Sequence, residues 1–278
     1  MFIFDAHCDT LSTGRSLWRN NGHVDIARLR ARGPGIQVMA AYGQDQLLQL
    51  DRLAAVTGAS NCALLPAVEG GDTVETPDGL TPFLMRKPVF FGLTWNHDNR
   101  LAGGCRGSGG GLTPLGREAV HILESAGVLI DLSHASERTF WDVLELAQAP
   151  PVVSHACCAA LCPHPRNLSD GQMTALAQAG GVLGITFYPP FLTGRDDASL
   201  ADVARHTEHA VSVMGAEHVG IGSDFDGCEL LPGGISGAQD VPALIAALPF
   251  GEDVRSLIAG GNFLRVLPRA GDGVIPPV

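Results

Sequence analysis

The opening stretch "MFIFDAHCDT" runs an apolar segment, Phe2–Phe4, straight into His7, Cys8 and Asp9. In an extended chain residues i and i+2 share a side, so His7 and Asp9 leave the strand together while Cys8 faces the other way. An imidazole beside a carboxylate is a chelating pair, although a polar strand end closed by turn residues would show the same two residues. Other segments repeat the pattern. Glu69 follows "CALLPAV", His134 ends "VLIDLSH", His155 ends "PVVSH", Asp224 ends "VGIGSD", and "TWNHDN" follows a further apolar run.

Taken as one set, His7, Asp9, Glu69, His134 and His155 exceed the three protein ligands of a single open catalytic zinc. They suit two metal ions, which at about 3.5–4 Å from one another need an anionic ligand between them. Glu69 is the expected bridge. The only lysine, Lys87, precedes a strand and so falls at the wrong end for a carbamylated lysine to do this work. A water shared by both ions would have its pKa lowered to about 7, giving hydroxide as the nucleophile. Asp224 then has two readings: it takes the proton released on attack and passes it to the leaving amine, or it orients a histidine. Arg166, in "CPHPRNLSD", is either a guanidinium that clamps a substrate carboxylate or a surface arginine beside a helix N-cap. His164 in the same loop is a lesser candidate, because its flanking prolines already account for an exposed turn.

These residues need a scaffold that brings distant segments to one place. Eight short apolar runs are bounded by Gly, Pro or polar residues: Phe2–Phe4, Ile36–Ala41, Cys62–Val68, Val89–Leu93, Val128–Leu132, Val152–Val153, Val182–Phe187 and Val219–Ile221. Helical periodicity with capping signals lies between several of them, at Leu115–Ala126, Ser136–Ala147, Ser169–Ala179 and Ala198–Met214. Strand then helix, repeated, predicts a parallel sheet, and this rhythm without a linker predicts an α/β fold of the (β/α)8 TIM-barrel type, a single domain over 1–278. An open doubly wound sheet is the competing architecture; it would want GxGxxG after the first strand, where "DAHCDTLSTG" stands. "GGCRGSGGG" (Gly103–Gly111) lacks the GK[ST] ending of a phosphate loop and reads as a flexible loop that could cover the site. "DVRSLIAGGNFLRVL" reads as a closing helix with a glycine interruption, and the last dozen residues as frayed.

Composition narrows the partners. The 278 residues carry a formal charge of −11, and the 18 cationic side chains are scattered, which disfavours nucleic acid and anionic membranes. Seven cysteines, an odd number irregularly spaced, fit reduced thiols better than a disulfide frame; "CCAALC" has no paired CxxC that would make it a zinc site. No charged start with an apolar signal-peptide core, and no apolar run of the ~18 residues a membrane span needs, is present, so the expectation is a cytoplasmic protein. A homodimer is left open.

The motifs "DAHCDT", "AVEGG", "LTWNHDN", "GLTPLGREAV", "LIDLSHAS", "PVVSHA", "PRNLSD", "VGIGSDFDG" and "GGNFLRVL" occur in an order that resembles the membrane dipeptidase (renal dipeptidase) family of zinc peptidases, in its soluble microbial branch. The resemblance implies a binuclear zinc centre that cleaves dipeptides, including ones with a D-residue on the C-terminal side. Its metal ligands fall on His7, Asp9, bridging Glu69, His134 and His155; its acid or base falls on Asp224 and its carboxylate-gripping residue on Arg166. Where many members read "LTH", this chain reads "LTW", which puts Trp95 at the substrate-contacting position and His97 two residues later, on Trp95's side of an extended strand and so placed to substitute for the family histidine. The same site acting on another small amide, lactam or ester is the alternative, and a non-catalytic binding barrel a more distant one.

Overall fold

The computed structural model describes residues 1–56 and 58–267; the stretch read as frayed lies almost wholly outside them. Eight parallel strands close a barrel in sequence order: β1 (Ile3–Asp5), β2 (Gly35–Tyr42), β3 (Cys62–Glu69), β4 (Phe90–Gly92), β5 (Leu129–Asp131), β6 (Val152–Ala156), β7 (Val182–Ile185) and β8 (Val219–Ile221). Closure is by pairing of Asp5 in β1 with Ile221 in β8. Each apolar run expected as a strand overlaps one, and the closed sheet excludes the open doubly wound alternative.

Neighbouring strand residues divide between two apolar clusters, as alternation requires. Phe90, Leu129, Val152 and Val182 join a small cluster with Phe4, Ile36, Val38 and Leu65, while Phe91, Ile130, Val153 and Leu183 pack in a large cluster with the surrounding helices. Phe90, Leu129, Val152 and Val182 are the first residues of their strands, so the small cluster fills the barrel's amino end. Phe263, from the last helix, completes it, with its ring centroid 5.3 Å from that of Phe4. A Cβ at position 220 would lie 2.6 Å from the Phe263 ring, so Gly220 in β8 is what admits it. Burying such a side chain is worth roughly 1.5–3 kcal/mol.

The helices begin where their capping residues predict. The helix Pro114–Ser125 starts with the Thr113 hydroxyl accepting from the Gly116 N–H, and Glu137–Leu146 with Ser136 accepting from Thr139, both at 3.0 Å. Asp170–Gln178 has a full capping box between Ser169 and Gln172; caps of this kind contribute about 1 kcal/mol each. The closing segment is broken as expected: Glu252–Ser256 passes through a wide turn, Leu257–Gly261, before Asn262–Val266.

Connections at the two ends of the barrel differ in length. Residues 33–34 suffice between the helix Ile26–Arg32 and β2, and 126–128 between Pro114–Ser125 and β5, whereas 93–113 follow β4 and 157–169 follow β6. The long loops leave the carboxyl ends of strands, where barrel chemistry is built. The glycine-rich loop among them, expected to be flexible, is knitted in place. Asp98 accepts hydrogen bonds from the Gly104 N–H at 3.0 Å and from the Ser108 N–H and hydroxyl at 2.8 and 2.6 Å. A Cβ at Gly107 would fall 1.7 Å from Asp98 Oδ1, so the glycine makes room for its own tether. The Ser108 hydroxyl, with the loop N–H groups, holds the Asp98 carboxyl below the usual carboxylate range.

Candidate metal centre

The five residues singled out as ligands leave four different strands and meet at the carboxyl end of the barrel. Glu69, the last residue of β3, points Oε1 at three imidazoles: His134 Nε2 at 2.8 Å, His155 Nε2 at 3.5 Å and His7 Nε2 at 3.7 Å. His7 Nε2 lies 3.2 Å from Asp9 Oδ2, and the Nε2 atoms of His134 and His155 are 3.1 Å apart. Two groups of donors within 4.8 Å of one another follow, Glu69 with His134 and His155, and His7 with Asp9 and Asp224. Together they hold the five expected ligands and Asp224. All six are buried.

Local structure explains the convergence. Beyond β1 the chain stays extended, Cys8 pairing with β2 through its N–H and C=O and packing its sulfur 3.3 Å from that of Met39, which leaves His7 and Asp9 on the opposite side. In β6 the pairing with β7 shifts register between Val153 and Ala156, an irregularity that lets adjacent Ser154 and His155 both reach the site. Asp224 is held with φ of 63°, a left-handed conformation rare outside glycine, and Gly227 leaves its Cβ position free, which would otherwise lie 2.1 Å from Asp9 Oδ2 and 2.5 Å from Asp224 Oδ1.

The electrostatics favour positive charge here. Burial works to lower the His7 pKa, but the Asp9 and Glu69 carboxylates outweigh it and raise it to about 10. Burial and then the Glu69 charge raise Asp9 to about 6. Asp224 is pushed well above the usual range by burial and by Asp9. Burial, joined by Arg166 and His7, keeps His134 and His155 well below the ordinary imidazole value, so both are neutral donors near pH 7. Asp9 Oδ1 is buried with no hydrogen-bond partner among the described residues. Neutral imidazole nitrogens, clustered carboxylates and an unpartnered carboxylate oxygen fit a divalent cation such as zinc.

A third group, His7, Asp131 and His155, also lies within 4.8 Å. Its centre is taken by the Ser154 hydroxyl, which hydrogen-bonds Asp131 Oδ2 and lies 2.9 Å from His155 Nδ1 and 3.5 Å from His7 Nδ1. Asp131 is not among the residues that line the cavity. The face of these imidazoles that meets the cavity is therefore the Nε2 face.

That face opens into a cavity of about 480 Å3 lined by Asp9, Glu69, His134, His155 and Asp224 together with Arg166, Trp95, Tyr42, Tyr188 and Phe191. Arg166 is buried, gives one hydrogen bond from Nη2 to the His155 carbonyl at 3.2 Å and stacks 5.4 Å over Phe191, while Nε and Nη1 have no partner among the described residues. It is not a surface arginine. His164 also lines the cavity, its ring tilted against that of Phe191 with centroids 4.5 Å apart. Trp95 lines it too, with its ring 5.0 Å from Tyr42 and 5.9 Å from His134. Residues 95–97 form a bend rather than extended chain, so alternation does not carry His97 to the side of Trp95; His97 is exposed and outside the lining. The cysteines of "CCAALC" point their sulfurs apart, at the carbonyls of Thr186, His206 and Pro190.

Sequence reasoning passed over Asn96, whose Oδ1 lies 3.0 Å from His134 Nδ1, as well as Asp131, Ser154 and Tyr42. The available signal was position: Asp131 ends β5, three residues before His134, and Ser154 immediately precedes His155 in β6.

A closed (β/α)8 barrel with imidazoles and carboxylates gathered at the ends of its strands is the class that carries metal-dependent hydrolases. The family model for membrane dipeptidases, peptidase family M19, matches residues 48–272, and the chain belongs to that family. It is 34% identical over 229 residues to an uncharacterised dipeptidase of Schizosaccharomyces pombe, covering 78% of this chain and 55% of that protein. It is 37% identical over 213 residues to dipeptidase verJ of Clonostachys rogersoniana, covering 74% of this chain and 54% of that one. The chain thus spans about half the length of these two relatives. Its fold matches a metallo peptidase from Rhodobacter sphaeroides, solved with a phosphinate mimic of L-Ala-D-Ala, with a TM-score of 0.86 at 23% identity over 96% of this chain and 98% of that one. Among the described residues no helix is long and apolar enough to cross a membrane.

Proposed function

We propose that the protein is a binuclear zinc dipeptidase, with Glu69 between the two ions, His134 and His155 holding one and His7 and Asp9 the other. The observation that carries this reading is that one Glu69 oxygen approaches three imidazole Nε2 atoms, within 3.7 Å, on the wall of a cavity that also contains an under-bonded arginine. When bound, zinc supplies Lewis acidity, polarising the scissile carbonyl and lowering the pKa of the attacking water. Arg166, whose Nε and Nη1 have no partner among the described residues, grips the terminal carboxylate with its guanidinium. Asp224 accepts the proton of the attacking water and delivers it to the departing amine nitrogen; its raised affinity for a proton suits the carrier role. Trp95 and Tyr42 wall the cavity beside Glu69, whereas Tyr188 and Phe191 wall it beside Arg166, so the dipeptide lies between two aromatic surfaces.

The test joins elemental analysis of the purified protein to a panel of L,L and L,D dipeptides, free and carboxyl-blocked. Two zinc per chain with hydrolysis of free dipeptides is expected. Two metals with turnover only of blocked amides, lactams or esters would move the activity to that alternative, and an absence of metal with an absence of turnover would overturn the reading.

A further inference from the structure

Beneath the ligand imidazoles, Asp131 and Ser154 form a pair whose hydrogen-bond directions are determined by the groups around them. Asp131 Oδ1 accepts from the Ser133 N–H at 3.1 Å, the Ser133 hydroxyl at 2.6 Å and the Ser154 N–H at 3.0 Å. Its other oxygen, Oδ2, accepts from the Ser154 hydroxyl. A serine hydroxyl has one proton and two lone pairs. With the proton committed to Asp131, Ser154 Oγ can only accept from the imidazoles, 2.9 Å away at His155 Nδ1 and 3.5 Å away at His7 Nδ1.

We propose that Ser154, held as an acceptor by Asp131, is a positioning residue that fixes His155 in the Nδ1–H tautomer and so turns its Nε2 lone pair toward Glu69 and the cavity. The proposal rests on the reading of this histidine as a cation ligand, yet the tautomer itself is a property of the protein alone. An imidazole ligates through the nitrogen without a proton, and which one that is depends on the partner of the other. His134 is served separately, by Asn96 Oδ1 at Nδ1.

The geometry makes Asp131→Asn a directional probe. Three donors face Oδ1, so the carboxamide oxygen stays there and its NH2 takes the place of Oδ2, donating to Ser154 Oγ. The serine proton is then released toward His155 Nδ1 or Ser133 Oγ, each 2.9 Å from Ser154 Oγ, and where it reaches the imidazole the ring proton moves to Nε2, the atom a cation needs. Long-range 1H–15N spectra of 15N-histidine protein, recorded on metal-stripped samples, read the tautomer directly. Expected are Nδ1–H for His155 in the parent, Nε2–H in Asp131→Asn, and a mixture in Ser154→Ala that adding Asp131→Asn does not change. Zinc affinity by chelator competition should fall about 10- to 100-fold in each single variant, non-additively in the double. His155 remaining Nδ1–H in Asp131→Asn, or shifting equally when Ser154 is already alanine, overturns the proposal. Should Asp131→Asn not fold, Ser154→Ala decides alone, an unchanged His155 tautomer being the contrary result. Tautomers as expected in a protein that binds no zinc would sink the zinc reading and leave this one standing.

Discussion

Glu69 Oε1 stands 2.8 Å from His134 Nε2, although Glu69 ends β3 and His134 follows β5, with β4 between them. The approach gathers a carboxylate and three imidazoles in a water-poor setting, where a cation bound to the folded protein and absent from the unfolded chain adds stability by mass action. Treatment with a strong chelator should therefore lower the melting temperature, and zinc at 100 times its dissociation constant should restore about 2.7 kcal/mol. Glu69→Gln should lose most of this zinc-dependent increment. Identical melting curves before and after chelation, with no zinc detected, would contradict the assignment.

Asp224→Asn separates proton transfer from metal binding. Asparagine tolerates the left-handed backbone that Asp224 adopts, so the fold should survive. Zinc content should stay at the parent level while kcat falls by about 10²- to 10⁴-fold. A variant that keeps full turnover would remove Asp224 from proton transfer.

Loss of the guanidinium in Arg166→Ala should raise KM for free dipeptides about 10- to 150-fold, the equivalent of a charge-assisted hydrogen bond of roughly 1.5–3 kcal/mol. Carboxyl-blocked substrates should be indifferent to the change. Arg166→Lys should recover little, since a point charge cannot reproduce two parallel N–H donors. Equal effects on free and blocked substrates would argue against a carboxylate clamp.

Trp95 and His97 are distinguished by where they lie. Trp95→Ala removes ring contacts with Tyr42 and His134, worth about 0.5–1.5 kcal/mol each, and widens the cavity. Specificity profiles across dipeptides of different first-residue size should shift in that variant. His97→Ala, at an exposed position, should leave kcat/KM within about twofold, the range of an ordinary surface substitution.

Acid stability should depend on Asp142. Burial raises its carboxyl, but the Arg138 guanidinium at 3.0 Å and the Leu112 N–H at 2.9 Å outweigh that and hold it below the usual range. A depressed folded pKa contributes stability that is present above the unfolded value of about 3.9 and is lost as pH falls through the folded one. Asp142→Asn should cost about 1 kcal/mol at pH 7, the exposed Arg138 adding little, and the gap to the parent should close as acid protonates the folded carboxyl. Denaturant melts at several pH values measure it; a gap that persists in acid would assign the loss to packing.

What was legible in the residues was everything that local physics determines. Eight apolar runs, their capping serines and threonines and their punctuating glycines define strand and helix one segment at a time, and a polar residue at a strand's end is visible without knowing its neighbours. That is why His7, Asp9, Glu69, His134, His155 and Asp224 could be chosen together. Their contacts were not local. Only closure of the barrel brought Glu69 to His134, and only the register shift in β6 turned Ser154 and His155 to the same side. The bend after β4 sent His97 to the surface where alternation would have kept it with Trp95. The glycine-rich loop looked flexible because composition records missing side chains, whereas Asp98, which occupies their space, is brought there by the folded chain. Distances between side chains on different strands depend on tilt, register and loop path, quantities set by the packing of the whole barrel and by no single stretch of it.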